Sequence, residues 1–346
     1  MSVVPLLTPS AAGFSMPAEW DTHAGCLMQW PSRRELWLDR FDRALDDYAA
    51  VARAIAVFEP VVMVCNPGES QWVRDLCGSG TTPLELPIND SWARDSGPVF
   101  VRDADGAIAA VSFGFNAWGN RWHPHDDDAR LAARVAERLG LPLFEAPFVL
   151  EGGSFLVDGE GTVITTEQCL LDPNRNPTWS RQDLEQGLRD YLGVGTVIWL
   201  PFGHSLDVGP AGTDGHADGV AAYASPGRVL LEAPTDPESP DTERAGANLA
   251  VLRSTPDGRG RSLDVVCVDP GPETAVSLAN HYLANGAVIV PVDGDPDLAA
   301  ASVAALSAVH PERQVVGVPG QTLAFGGGGP HCITQQIPSG VDLSVL

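Results

Sequence analysis

Ser154-Phe155-Leu156-Val157-Asp158-Gly159-Glu160-Gly161-Thr162-Val163-Ile164-Thr165-Thr166 is the stretch on which the fold turns. Two apolar runs, Ser154–Val157 and Val163–Thr166, flank Asp158-Gly159-Glu160-Gly161, whose glycines suit a tight reversal. This predicts a β-hairpin. Helical spacing over Arg181–Leu192 and an apolar run at Thr196–Leu200 follow, giving a unit of hairpin, helix and strand. The unit recurs downstream. Val220–Ala224 and Val229–Glu232 pair across Ser225-Pro226-Gly227, ahead of a helix at Pro240–Leu252 and a strand at Val265–Val268. Further strands are predicted at Val61–Cys65, Pro98–Arg102, Ala287–Val292 and Val315–Val318. Helices are predicted at Asp42–Phe58, Asp127–Leu139 and Pro296–Val309. The first of these carries an apolar stripe at Leu45, Tyr48, Val51, Ile55 and Phe58. Strand, hairpin and helix return at intervals of roughly 60 residues without a strong sequence repeat, which fits an α/β repeat architecture with short strands closing around a centre. No Pro/Ser-rich linker divides the chain, and Asp236–Asp241 reads as a loop. Residues 1–346 are therefore expected to form a single domain.

Composition removes several classes of function. The 346 residues carry 45 Asp plus Glu against 21 Arg and no Lys, a net charge of −24. A chain this acidic has little from which to build a face for nucleic acid or an anionic membrane. Its field would draw in a cationic substrate modestly, but a high-GC or salt-adapted genome accounts for the same charge, which therefore decides only against those two partners. No apolar run approaches the roughly 18 residues that span a bilayer. Met1–Phe14 has no basic residue before its short apolar stretch, so it does not read as a secretion signal, and a soluble cytoplasmic protein is expected. The six cysteines are scattered, with no Cys-x-x-Cys pair. Free thiols are expected rather than a disulfide framework or a zinc site.

Four segments carry residues capable of chemistry. Gly326-Gly327-Gly328-Gly329-Pro330-His331-Cys332 puts a thiol behind a glycine run at the head of a strand, where it is either exposed to a cleft as a nucleophile or buried as a small hydrophobe. Thr213-Asp214-Gly215-His216-Ala217-Asp218-Gly219 puts His216 and Asp218 two residues apart. On extended chain they face one pocket as an acid/base pair; the alternative is a loop in which they satisfy backbone groups. Asp90-Ser91-Trp92-Ala93-Arg94-Asp95 offers a carboxylate and an indole, suited to a planar cation. The alternative there is a surface Arg–Asp pair beside a core Trp. Simple alternation sets Asp90, Trp92 and Arg94 on one side and Asp95 on the other, unless the chain turns. Glu151-Gly152-Gly153-Ser154 is either an acid held where backbone passes close to a ligand or merely a bend. One thiol, one His and several carboxylates suit covalent attack on a bound cation, and nothing in the set requires NAD, a metal or a phosphate. No cofactor is expected.

The chain resembles the agmatine deiminase family of the guanidino-group-modifying superfamily almost from end to end. The likeness runs through Met16-Pro17-Ala18-Glu19-Trp20, Gln29-Trp30-Pro31, Trp92 to Pro98, Phe115-Asn116-Ala117-Trp118-Gly119, and Leu150 to Ser154. It continues through Thr165 to Leu171, Asn174-Arg175-Asn176-Pro177, Asp214 to Asp218, and His331 to Gln336. The resemblance implies a five-bladed pseudo-symmetric α/β propeller of ββαβ repeats, called a pentein. It implies Cys332 as nucleophile, His216 as acid/base, Asp95 and Asp218 as guanidinium clamps, and Glu151 as a group that binds the guanidinium or steers the His. Trp92 and Gly329 would line the substrate site. The substrate would be a small cationic guanidino compound, agmatine first, and the assembly a homo-oligomer, commonly a dimer. Three departures bear on the substrate: Gly329-Pro330 where agmatine-acting members read Asn-Ile after their glycines, Gly219 where they carry Asn, and Arg121 to Asp128. A deiminase of another small guanidino compound is the first alternative. Peptidylarginine deiminase and amidinotransferase follow, and a non-catalytic propeller would need all five site residues to be idle.

Overall fold

The structure, a computed structural model, describes residues 7–209, 212–271 and 277–346. Positions 1–6 of the N-terminal stretch lie outside it.

The chain is α/β, with sixteen strands in five small sheets among the described residues. Strands β1 (His23–Gln29), β2 (Val61–Cys65) and β3 (Thr81–Glu85) run parallel. Next come three-stranded sheets of β4 (Val99–Arg102), β5 (Ile108–Gly114) and β6 (Leu143–Val149), then β7 (Phe155–Val157), β8 (Thr162–Thr166) and β9 (Thr196–Leu200). The last two are β10 (Ala221–Ser225), β11 (Arg228–Glu232) and β12 (Asp264–Val268), then β13 (Tyr282–Ala284), β14 (Ala287–Val292) and β15 (Gln314–Pro319). In each three-stranded sheet an antiparallel hairpin is followed by a parallel strand. Parallel pairing needs a crossover, and a helix supplies it: Leu131–Arg138, Arg181–Leu192, Pro240–Ser254 and Pro296–Val309 in turn. The first sheet obeys the same plan across the chain ends. Its antiparallel partner to β1 is the last strand, β16 (Thr334–Pro338), which places Cys332 beside the N-terminal third of the chain.

Local chemistry explains these elements. Every residue of β2 and β8 is buried, as expected for a strand covered on both faces. Helix Arg181–Leu192 starts on a capping box in which Ser180 and Asp183 satisfy each other's backbone N–H, and stops at Gly193 with φ 70°. Its buried face, Leu184, Leu188 and Leu192, packs with Phe148, Val157 and Val163. Helix Phe41–Ile55 is shorter than the predicted Asp42–Phe58: Val57 is exposed and Pro60 disfavours helix just upstream of it. The predicted Asp127–Leu139 helix begins as a 3-10 turn, Asp128–Arg130, before Leu131–Arg138. No helix among the described residues is long and apolar enough to cross a membrane. All six cysteines are free, and Cys267 is the exposed one.

Candidate active site

In each repeat the segment just upstream of the first hairpin strand projects toward one place. These lead-ins hold Cys332 before β16, Asp95 before β4, Glu151 before β7, His216 and Asp218 before β10, and Asn280 before β13. They meet beside a cavity of about 490 Å³, lined among others by His216, Asp218, Gly219, Asn280, Gly328, Gly329 and Cys332.

The Cys332 lead-in starts where Gly327, at φ 105°, ends a short helix, Gln321–Gly326. A β-carbon on Gly328 would lie 2.6 Å from Trp92 Cζ3 and 2.9 Å from Cys332 Sγ, so only glycine lets this loop lie against the thiol. The sulfur is 3.5 Å from Asp218 Oδ2 and accepts an N–H from Asn280 Nδ2 at 3.1 Å. Burial pushes the thiol well above its ordinary pKa; the Asp218 and Asp95 carboxylates push it further, while the Gly329 backbone and the Asn280 amide oppose them. Without a cation in the site the sulfur is therefore held as the thiol.

Asp95 corrects the alternation expected of its segment. Ala93–Ser96 is a single helical turn, with Asp95 N–H donating to the Trp92 carbonyl, and the turn swings Asp95 inward. Its Oδ2 accepts the indole N–H of Trp118 at 2.9 Å and its Oδ1 accepts Gly153 N–H at 2.9 Å. Trp118 sits at φ 55°, costly for a bulky residue, and that backbone aims the indole at the carboxylate. Arg94 forms no surface pair with Asp95. It is buried and donates to Glu19 Oε1 at 3.1 Å and Gln336 Oε1 at 2.8 Å. Trp92 is buried too, stacked on Trp37 with centroids 6.0 Å apart; it backs Gly328 and lies outside the cavity lining, whereas Gly329 is on it.

The 3-10 turn Ala217–Gly219 replaces the extended segment expected around His216 and Asp218, yet both turn inward. Asp218 Oδ2 lies 2.8 Å from His331 Nδ1, and His331 Nε2 lies 3.0 Å from Glu19. Burial alone would raise the Asp218 carboxyl, but the His331 hydrogen bond and charge bring it below the usual range. His216 Nδ1 is 3.9 Å from Asp95 Oδ1 and 3.9 Å from Asp218 Oδ1. Burial would push its pKa down; Asp95, then Cys169 and Asp218, hold it well above the ordinary value. All these groups crowd Gly153: a β-carbon there would fall 2.6 Å from His216 Nδ1, 2.8 Å from Asp218 Oδ2 and 3.0 Å from Asp95 Oδ1. Glu151-Gly152-Gly153 is therefore the floor of the site, not merely a bend.

Glu151 is fully buried and its Oε1 accepts from Arg175 Nε at 2.8 Å. Arg175 also donates to the Thr213 carbonyl at 2.8 Å and to Asp214 Oδ2 at 2.5 Å, so one guanidinium ties the Glu151 lead-in to the one carrying His216. Glu151 Oε2 and His216 Nε2 are both buried with no hydrogen-bond partner among the described residues. With Cys169 they form the one grouping among the described residues whose donor atoms, all within 4.8 Å, have the types of a metal site. The Arg175 cation already on Glu151 opposes a dication there, and the group reads better as the far side of an acid/base histidine. Arg175, Trp118, Glu19 and His331 lie in motifs quoted above, but their residue types alone assigned them no contact. Asn280 lay in no motif at all.

A family model described as Porphyromonas-type peptidyl-arginine deiminase matches residues 15–338. Agmatine deiminase of Pseudomonas aeruginosa (strain LESB58) is 41% identical, over 97% of this chain and 98% of that one. The solved agmatine deiminase of Enterococcus faecalis superposes with a TM-score of 0.90 and 35% identity, covering 98% of this chain and 99% of that one. The N-terminal domain of a cyanobacterial arginine dihydrolase, at 15% identity and a TM-score of 0.54 over 90% of this chain and 97% of that one, shares the fold alone. The match over residues 15–338 and the 41% identity over nearly the whole of both chains place this protein in the agmatine deiminase family.

Proposed function

We propose that the protein hydrolyses the guanidinium group of agmatine to N-carbamoylputrescine and ammonia. The observation that carries this is the convergence of His216, Asp218 and Asp95 on the Gly153 position beside the Cys332 sulfur. A guanidinium carbon is a weak electrophile because its charge is delocalised. Asp95 and Asp218 grip its nitrogens and balance that charge. The bound cation offsets the two carboxylates that hold Cys332 as a thiol, so the thiol gives up its proton to solvent and the thiolate forms when substrate is present, His216 staying protonated. Sulfur adds to the guanidinium carbon, His216 gives its proton to one nitrogen, and that C–N bond breaks to release ammonia. The S-alkylthiouronium left on Cys332 is attacked by a water that His216 deprotonates. The C–S bond breaks, the ureido product leaves and the thiolate returns. Glu151, fixed by Arg175, steers His216 from behind. Trp92 backs the wall at Gly328.

Agmatine is favoured by the relatives' activity. Another small guanidino compound is the second reading, supported by Gly219, where an added side chain would meet open space on the cavity wall. We further infer a single domain over 1–346 with the five sheets as blades of one propeller, a homodimer, and a cytoplasmic role feeding putrescine and polyamine synthesis. The β16–β1 pairing of the two chain ends supports the propeller. Ammonia and ureido formation across agmatine, arginine, a peptidyl-arginine and several guanidino acids tests the reading, with Cys332→Ser as blank. Turnover of agmatine, lost by at least about 10⁴-fold in the folded Ser variant, is expected. Preference for another guanidine overturns the substrate, and activity in the Ser variant overturns the nucleophile.

A further inference from the structure

Asn280 occupies in the fifth repeat the place that Cys332, Asp95, Glu151 and Asp218 occupy in the other four, just upstream of the first hairpin strand, and with Cys332 and Asp218 it lines the cavity. It is 4% exposed. Its side chain makes three contacts, and together they fix which way the amide faces. Oδ1 accepts the backbone N–H of Cys332 at 3.3 Å, and a backbone nitrogen can only donate. Nδ2 therefore faces the other way, toward the Asp218 carbonyl at 3.3 Å and the Cys332 sulfur at 3.1 Å. The carbonyl can only accept, so both ends agree on one orientation. The main chain is held as well. Asn280 N–H donates to Ser277 Oγ at 3.2 Å, and the Asn280 carbonyl accepts from His331 N–H at 3.2 Å. A β-carbon on Gly329 would fall 2.7 Å from Oδ1, so the glycine makes room for the amide.

We propose that Asn280 is a catalytic residue of this site, whose amide N–H hydrogen-bonds the Cys332 sulfur and stabilises it as the thiolate. The proposal rests on the reading of Cys332 as nucleophile. The amide transfers no proton. It contributes a donor whose bond strengthens when sulfur gains its negative charge, before attack on the guanidinium carbon and again when the C–S bond of the thiouronium breaks. The Cys332 backbone bond sets the distance. A neutral donor is the group that serves here, because two carboxylates already face the sulfur and a lysine or arginine would compete with the cationic substrate for them.

The test measures the pH dependence of Cys332 alkylation by iodoacetamide, read on the Cys332 peptide by mass spectrometry so that exposed Cys267 does not interfere. It uses wild type, Asn280→Ala and Asn280→Asp, each checked for folding by circular dichroism. A charge-assisted hydrogen bond of ordinary strength predicts an alkylation midpoint about one to two pH units higher in Asn280→Ala, and kcat lower by about 10- to 100-fold with a smaller change in KM. Asn280→Asp keeps the size and an oxygen for the Cys332 N–H but turns a carboxylate to the sulfur. Its midpoint should be the highest of the three and its kcat the lowest. Folded variants whose midpoints match wild type overturn the proposal, even if kcat falls, since that is the mark of a merely structural residue. So does wild-type turnover in Asn280→Asp. Should Asn280→Ala not fold, the near-isosteric Asp variant decides alone. Turnover retained in Cys332→Ser would instead remove the nucleophile reading, a separate failure.

Discussion

The lead-ins of the fourth and fifth repeats touch the same sulfur with opposite effect. From the fourth, Asp218 brings a carboxylate to 3.5 Å of Cys332 Sγ; from the fifth, Asn280 brings an N–H to 3.1 Å. The first favours the thiol, the second the thiolate. The same Asp218 oxygen, Oδ2, is held by His331, and through it by Glu19 and Arg94, so the carboxylate stays charged although buried. Asn280 is anchored by backbone. On the proposed mechanism, such a site keeps its nucleophile protonated until a cation settles on the carboxylates, and the amide lowers the cost of the charge when it comes. Equivalent positions in a repeat thus supply opposing terms in one equilibrium.

The fourth lead-in depends on charge balance behind it, and this is where the largest effect on folding is expected. Arg175→Met would leave Glu151 and Asp214 without their shared guanidinium and should cost about 3–5 kcal/mol of stability, measured by urea unfolding. A loss under about 1 kcal/mol would mean that the Glu151 and His216 lead-ins are not tied through Arg175. Gly153→Ala strikes the comparison at its meeting point. Its new β-carbon must displace His216 or a carboxylate, and kcat should fall by about 100-fold, from displacements on the order of an ångström. Unchanged kcat would show that these groups have slack. Smallest is Ser180→Ala, far from the site: removing the helix cap should lower stability by about 1 kcal/mol and leave kcat alone. Altered kcat there would mean that the lead-ins are coupled to the outer helices.

The two lead-ins also differ in how far they can be read without a structure. Thr213-Asp214-Gly215-His216-Ala217-Asp218 announces itself by residue type, as do Cys332 behind its glycines and Glu151 before Gly152-Gly153. Leu278-Ala279-Asn280-His281 does not, because a neutral amide is common in turns and only its repeat position sets it apart. Arg175 is silent for a related reason: its contacts at Glu151, Thr213 and Asp214 are made only once the Glu151 and His216 lead-ins are side by side. Among the strands, the apolar runs β2, β9 and β14 are legible to the residue. Strand β3 is not: Thr82 and Glu85 are exposed on an edge and Pro83 interrupts the run. Strand β13, at three residues, is too short to show a period. Asp95 shows the opposite difficulty. Its residue type pointed to the site while strand alternation pointed away, and the helical turn at Ala93–Ser96 resolves the conflict.

The balance between the two lead-ins is open to one direct measurement: the alkylation midpoint of Cys332 in the free enzyme, wild type against Asp218→Asn. In wild type, burial together with Asp218 and Asp95 places that midpoint well above the ordinary thiol value, so alkylation is slow at neutral pH and rises with alkali. Removing the Asp218 charge should move the midpoint down and speed alkylation at neutral pH, while turnover is lost with the guanidinium clamp. A wild-type midpoint at or below the ordinary thiol value, or one that stays or rises in Asp218→Asn, would contradict a nucleophile held in check by its own substrate clamps.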